Sequence, residues 1–249
     1  MKEFYIDSDG IQLHSKLEIP ETGIPCPLAI VIHGLTGHME ERHIVAVCET
    51  FRECGIATLR VEMYGHGKSG GRFEDHTIFK WINNGLDVID YAKKLDFVTD
   101  LYLCGHSQGG LLAMFLAGMH RDDIKALIPL SPGIIITDGA RNGHILGHRF
   151  DPEHVPDRIT FGAMALGGNY LRTAQLLHED DAISAYGGPV LLIHGDADIT
   201  VPISYSIRAA EKYRNCTFVT IPGDTHCYDR HLELVTETLR QFLDSLSRA

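Results

Sequence analysis

The chain has 249 residues, of which 44% are hydrophobic and 22% charged, with a formal net charge of -11. That length suits one α/β domain with an insertion and allows a large core without covalent staples. The acidity argues against nucleic acid and anionic membrane surfaces, both of which need clustered lysine and arginine.

Taken in order, strand-like and helix-like stretches alternate. The opening segment "FYIDSDGIQLHSKLEI" reads as an antiparallel hairpin turning at "DSDG" and adding to the edge of a sheet. "LAIVIHG" (28–34) is a compact buried strand, and "IVAVCETFREC" (44–54) has helical apolar spacing ending at Gly55. "ATLRVEMY" (57–64) is a strand, and "HTIFKWINNGLDVIDYAKKL" (76–95) an outer amphipathic helix despite Gly85. "DLYLCG" (100–105) and "IKALIPLSP" (124–132) are strands on either side of the helix "QGGLLAMFLAGMH" (108–120). After a gap come the strand "PVLLIHG" (189–195), the helix "SYSIRAAEKY" (204–213), the strand "CTFVTIPG" (216–223) and the helix "HLELVTETLRQFLDSL" (231–246). Apolar strands separated by helices predict an α/β fold: a mostly parallel central sheet with helices on both faces. Residues 133–188 break the rhythm and are rich in Gly, His and charge, so they read as an inserted cap, with 1–132 and 189–249 as the core domain.

The six cysteines show no C-x-x-C spacing, and several lie in apolar runs, which reads as reduced thiols of an intracellular protein. The N-terminus lacks an apolar signal-peptide core, and no apolar stretch reaches the roughly 18 residues of a membrane span. The expectation is a soluble, cytoplasmic protein.

Gly105-His106-Ser107-Gln108-Gly109 fits G-x-S-x-G between a strand and a helix, the setting of a nucleophile elbow. So sharp a turn strains the serine backbone and leaves no room for side chains two residues away, hence the glycines. A serine hydroxyl is a weak nucleophile and needs a base, an orienting acid and oxyanion donors. In "HGDADITVP" (194–202) two acids compete. Asp198 sits further into the loop and is assigned as the acid, while Asp196 is better placed to bond the turn. His226, in "IPGDTHCYD" (221–229), follows the last strand and is assigned as the base, with Asp224 as a turn-former. The backbone N–H groups of Gln108 and Leu35, the latter in "HGLTGH" (33–38), are the expected oxyanion donors.

Three motifs promise more than they carry. "GHGKSG" (65–70) matches G-x-G-x-x-G, but no apolar helix start follows, so it reads as a glycine-rich active-site loop. It fails as a phosphate loop because Glu62 stands where the first glycine belongs. "HILGH" (144–148) pairs two histidines without the glutamate or third ligand of a zinc site, so no metal or cofactor is expected.

These motifs together resemble the α/β-hydrolase superfamily and, more narrowly, the bacterial cinnamoyl (feruloyl) esterases. The resemblance rests on "HGLTGHMEERHIVAV", "ATLRVEMYGHGKSGGRFEDHT", "GHSQGG", "ALIPLSP" and "IPGDTHCYD" and covers nearly the full length. It implies hydrolysis of hydroxycinnamate esters through an acyl-enzyme, with Ser107, His226 and Asp198 as the triad and Leu35 and Gln108 N–H as the oxyanion hole. It also implies that the cap shapes the acyl pocket, where by position Asp138 and Tyr170 hold the phenolic hydroxyl. One departure is that the cap has no Trp, so stacking falls to Phe150, Phe161 or Tyr170. The expected partner is a small-molecule aryl ester, with no nucleic acid and no membrane, and a homodimer is held open. A general carboxylesterase, monoacylglycerol lipase or thioesterase with the same machinery is the alternative. A non-catalytic receptor on this fold is the alternative of another class. The polar, histidine-rich cap speaks against a lipase lid.

Overall fold

The computed structural model describes residues 1–248. Strands β1 (Lys2–Ser8) and β2 (Ile11–Glu18) form an antiparallel hairpin, and β3 (Cys26–Ile32), α1 (Arg42–Glu53), β4 (Ala57–Val61), α2 (Ile78–Lys93), β5 (Val98–His106), α3 (Gln108–Met119) and β6 (Ile124–Leu130) follow. The segment between β6 and the next long strand holds α4 (Ile135–Asn142), the short strands β7 (His144–Ile145), β8 (His148–Arg149), β9 (Arg158–Phe161) and β10 (Met164–Gly167), then α5 (Gly168–Ala174) and α6 (Glu179–Ala185). β11 (Val190–Gly195), α7 (Ser204–Lys212), β12 (Cys216–Ile221) and α8 (Leu232–Ser247) complete the chain.

Eight strands form one sheet in the order β1-β2-β4-β3-β5-β6-β11-β12. β1 and β2 pair antiparallel with their neighbours and the rest are parallel. The hairpin turns on Asp9 and Gly10, both at positive φ (47° and 76°), which suits the twist of a two-residue turn. The parallel strands are buried on both faces, which is why they read as continuous apolar runs. On β3, Leu28, Ile30 and Ile32 pack with Trp81 and Leu111 from α2 and α3. The alternate residues Ala29 and Val31 pack with Val47 and Phe51 of α1 and with Val235 and Leu239 of α8. α3 is apolar on every side because it is enclosed: α2 and α6 pack beside it, with Ala182 of α6 against Gly118.

The caps follow local rules. The Thr77 side chain accepts the Lys80 N–H at 3.1 Å and opens α2. Gly55, at φ 78°, closes α1 by donating to the Arg52 carbonyl at 3.0 Å. Trp81 lies on the outer helix α2, as expected, and on its inward face, where it is fully buried. Its indole N–H donates to the Tyr64 carbonyl at 3.3 Å, and its ring packs on His33, His66 and His76.

Strand order reverses around β3, because the chain leaves β3 for β4 on one side and returns to β5 on the other. Crevices open at the carboxyl ends of strands at such a switch point. Ile32 of β3 pairs with Gly105 of β5, so the loop after β3 and the turn after β5 start side by side. Between β6 and β11 the chain supplies two small hairpins. One turns at Leu146-Gly147, both at positive φ, and the other contains Gly162 at φ 59°. Both cover the carboxyl edge of the sheet.

Candidate active site

Ser107 sits in the turn from β5 to α3 with φ 54° and ψ -121°, a backbone state that non-glycine residues adopt only when held there. The neighbours show why glycines surround it. A Cβ on Gly105 would stand 2.2 Å from the Gly109 carbonyl oxygen. A Cβ on Gly109 would stand 2.3 Å from the carbonyl oxygen of His33. The turn is tied down by Ser107 N–H donating to the Leu130 carbonyl at 2.9 Å and by Gly133 N–H donating to the Ser107 carbonyl at 2.7 Å.

The Ser107 hydroxyl donates to His226 Nε2 at 2.8 Å, and His226 Nδ1–H donates to Asp198 Oδ2 at 2.6 Å. The three side chains come from the ends of β5, β11 and β12, over a sequence separation of 119 residues between serine and histidine. Asp198 Oδ1 accepts the N–H groups of Thr200 and Val201 at 2.8 and 2.9 Å. Burial would raise the Asp198 pKa, but hydrogen bonds from His194 and His226 outweigh it and hold the carboxyl well below the usual range. The carboxylate is therefore ionised at neutral pH. Asp196 instead accepts the Gly223 N–H and ties two loops together. Asp224 is buried and accepts the N–H groups of Thr225, Arg230 and His231.

Two histidines that sequence reasoning did not single out hold this arrangement. His194, fully buried at the end of β11, has Nε2 at 2.9 Å from the Val201 carbonyl and 3.1 Å from Asp198 Oδ2. A carbonyl only accepts, so Nε2 carries the proton and Nδ1 takes the Ser206 hydroxyl at 2.7 Å. His106, the residue before the serine, donates Nε2–H to the His226 carbonyl at 2.8 Å. Burial keeps His106 well below the normal histidine pKa, so it stays neutral and fixes the His226 backbone without adding charge.

The N–H groups of Leu35 and Gln108 have no protein acceptor among the described residues, and Gln108 N–H opens α3, where the helix dipole is positive. The loop carrying Leu35 passes close to the serine: a Cβ on Gly34 would stand 3.0 Å from Ser107 Cβ. His33 braces the loop, donating from Nδ1 to the Gly34 carbonyl at 2.8 Å and accepting the Met63 N–H at 3.1 Å. His66 accepts the Thr36 N–H at 3.3 Å. "GHGKSG", expected as an active-site loop, therefore lies one layer back: none of residues 65–70 lines the cavity, and His66 reaches it only through Thr36.

The cavity above Ser107 measures about 660 Å³ and its walls are mainly apolar. Ile135 and Ile136 of α4, the hairpin residues Leu146, Phe161 and Met164, and Ile199 shape one side. Sequence reasoning missed the two hairpins that carry Leu146 and Met164 inward, although Leu146-Gly147 and Gly162 were available turn signals. Of the three aromatic residues considered for stacking, Phe161 alone lines the cavity.

The two residues expected on a phenolic hydroxyl are engaged elsewhere, and neither lines the cavity. Tyr170 is 0% exposed and donates its hydroxyl to Gln108 Oε1 at 2.7 Å. Asp138 Oδ2 accepts the Tyr205 hydroxyl, and its Oδ1 accepts from Asn142 at 3.0 Å. Tyr170 thus reaches the site through the side chain of Gln108. Asp138 joins α4 to the start of α7. Among the described residues no group of three His, Cys, Asp or Glu side chains is arranged so that it could hold a metal ion; His144 of "HILGH" is a cavity wall.

Chemically, the arrangement pairs a hydroxyl with an adjacent base, an anion behind the base, and two free N–H donors beside an apolar cleft. Those are the parts needed for acyl transfer. The family model described as serine aminopeptidase, S33, matches residues 24–160. Est1E from Butyrivibrio proteoclasticus, in a structure with ferulic acid bound, is 56% identical, with 99% of this chain and 100% of that chain covered and a TM-score of 0.97. Among curated relatives, human ABHD12B is 22% identical over 76% of this chain and 50% of its own length. The mitochondrial palmitoyl-protein thioesterase ABHD10 of Rattus norvegicus is 26% identical over 75% of this chain and 63% of its own length. The chain thus spans about half to two thirds of the length of these two curated relatives.

Proposed function

The chain belongs to the serine aminopeptidase S33 family of α/β hydrolases, and from that premise we propose that it is a serine ester hydrolase whose substrates are hydroxycinnamate esters. The carrying observation is the line Ser107 Oγ, His226, Asp198, with contacts of 2.8 and 2.6 Å, beneath an apolar cavity. The likeness to Est1E, a protein seen with ferulic acid bound, supports the acyl class.

In this reading His226 Nε2 takes the Ser107 proton as Oγ attacks the ester carbonyl. The oxyanion forms against Leu35 and Gln108 N–H, and losing one such donor typically costs about 100- to 1000-fold in rate. His226, now cationic beside the Asp198 anion, protonates the leaving alcohol. Water enters by the same route and releases the acid. The aryl ring lies on the cap side against Phe161, Ile136 and Met164. Asp138 and Tyr170 act on it indirectly in this proposal: Asp138 sets the α4 wall through Tyr205, and Tyr170 holds Gln108. Direct contact of a phenol with Asp138 requires displacing the Tyr205 hydroxyl.

Leu146, Met164 and Ile199 also leave an apolar rim that is 46%, 41% and 98% exposed, which suits an alkyl acyl chain and supports a general carboxylesterase as the second reading. Initial rates on methyl ferulate and p-nitrophenyl butyrate, with Ser107→Ala as control, separate the two. Ferulate turnover at least equal in efficiency to butyrate, lost by about 10⁴-fold or more in the folded variant, is expected. Butyrate turnover alone removes the hydroxycinnamate reading. Turnover unchanged in the variant removes Ser107 as nucleophile.

A further inference from the structure

Among the described residues Glu41 is the one carboxylate in the walls of the cavity, and no lysine or arginine lines it. It stands at the N-terminus of α1, half-buried, on the loop that continues from Leu35. Its side chain is held in place. Oε2 accepts the His38 N–H at 3.3 Å, and Gly37 makes room for it, since a Cβ there would stand 2.4 Å from that oxygen. Oε1 has no protein partner among the described residues. Arg42 does not pair with it but turns its guanidinium to the Asp229 carbonyl at 3.5 Å, and burial raises the Glu41 carboxyl pKa from its ordinary value.

The reaction decides which part of a substrate meets this charge. His226 must hand its proton to the leaving oxygen, so the alcohol lies on the His226 side and the acyl group under the cap. Glu41 is on the His226 side: its neighbour Arg42 reaches the Asp229 carbonyl, three residues past His226, and Glu41, His226 and Cys227 all line the cavity. One anion in a cleft with low-dielectric walls selects by sign.

We propose that Glu41 sets the charge selectivity of the leaving-group side: alcohols that are neutral or cationic are accepted, and alcohols bearing a carboxylate are rejected. A neutral polyhydroxylated alcohol can in addition donate a hydroxyl to the free Oε1. The proposal rests on the ester-hydrolase reading but not on the identity of the acyl group.

The test uses three esters of one acid: methyl butyrate, carboxymethyl butyrate and butyrylcholine. Their kcat/KM values are compared in the wild-type chain, Glu41→Gln and Glu41→Asp. In Glu41→Gln the carboxymethyl-to-methyl ratio should rise about fivefold and the choline-to-methyl ratio should fall by about as much. Glu41→Asp should keep the wild-type order. Salt at about 0.5 M should compress the wild-type ratios more than those of Glu41→Gln, which retain only the field of the remaining net charge. A purely structural role moves all three esters together, so ratios that stay fixed or shift in one direction overturn the proposal. If Glu41→Gln does not fold, wild-type ratios indifferent to salt overturn it instead. A wild-type chain that cleaves butyrates but not methyl ferulate removes the hydroxycinnamate reading while the ratios still decide this one. A chain that cleaves no ester removes both.

Discussion

Nε2 of His194 stands 3.1 Å from Asp198 Oδ2, the same carboxylate oxygen that receives His226 Nδ1–H at 2.6 Å. Asp198 is thus held by two imidazoles and two backbone N–H groups, and its orientation toward His226 does not depend on one contact. The Ser206 hydroxyl fixes the His194 tautomer, so the arrangement reaches back to α7.

His194→Phe removes one donor from a buried carboxylate and should cost about 1–3 kcal/mol of stability. The His194 hydrogen bond lowers the Asp198 pKa, so its loss raises that pKa. Because Asp198 then orients His226 less firmly, kcat should fall about tenfold with KM nearly unchanged, and His194→Gln should restore part of the loss. A folded His194→Phe variant with wild-type kcat, or one that Gln does not rescue, refutes the positioning role of His194.

Tyr170→Phe leaves the Gln108 amide without its one side-chain partner, because Gln108 Nε2 is already buried and unpaired. The cost should be about 1 kcal/mol in stability and roughly three- to tenfold in kcat, with KM nearly unchanged. A KM rise with kcat intact would instead place Tyr170 on the substrate.

Five buried histidines make the fold sensitive to acid. Burial pushes His33 and His76 down to about 3 and His43 down to about 4, and lowers His66 and His106 as well. These groups stay neutral in the folded state but take up a proton near pH 6.5 when unfolded. The unfolded chain therefore binds more protons below about pH 6.5, and stability falls as pH drops toward the folded values. Each extra proton is worth about 1.4 kcal/mol per pH unit, so several histidines together give several kcal/mol between about pH 6 and 5. Asp198 adds nothing in that window, because its depressed pKa contributes stability that is lost only at lower pH. Thermal unfolding followed against pH should show Tm dropping steeply below about pH 6 and level above about pH 7. A flat Tm down to about pH 5 contradicts the burial of these rings as neutral species.

Much of the fold was legible because its signals are local. β5 and α3 are apolar runs of different period around Gly105, Ser107 and Gly109, and the glycines are needed by atoms within four residues or on the adjacent strand. The hairpin at Asp9-Gly10 and the stop at Gly55 are likewise set by the positive φ those turns require. The cap was illegible as structure, because its strands are two to four residues long and rely on packing against the core rather than on their own periodicity.

The sequence by itself determined the order of strands and helices outside residues 133–188, the sharp turn at Ser107, and the loops that bring Asp198 and His226 to the same sheet edge. Backbone sterics and apolar period act over a few residues, so one chain suffices to read them. The tertiary structure alone decided that His194 and His106 brace Asp198 and His226, that Tyr170 serves Gln108, and that Glu41 faces the cavity. These are side-chain pairings between distant segments. Which of 15 histidines finds a partner depends on where strands 28 to 119 residues away place the other atom.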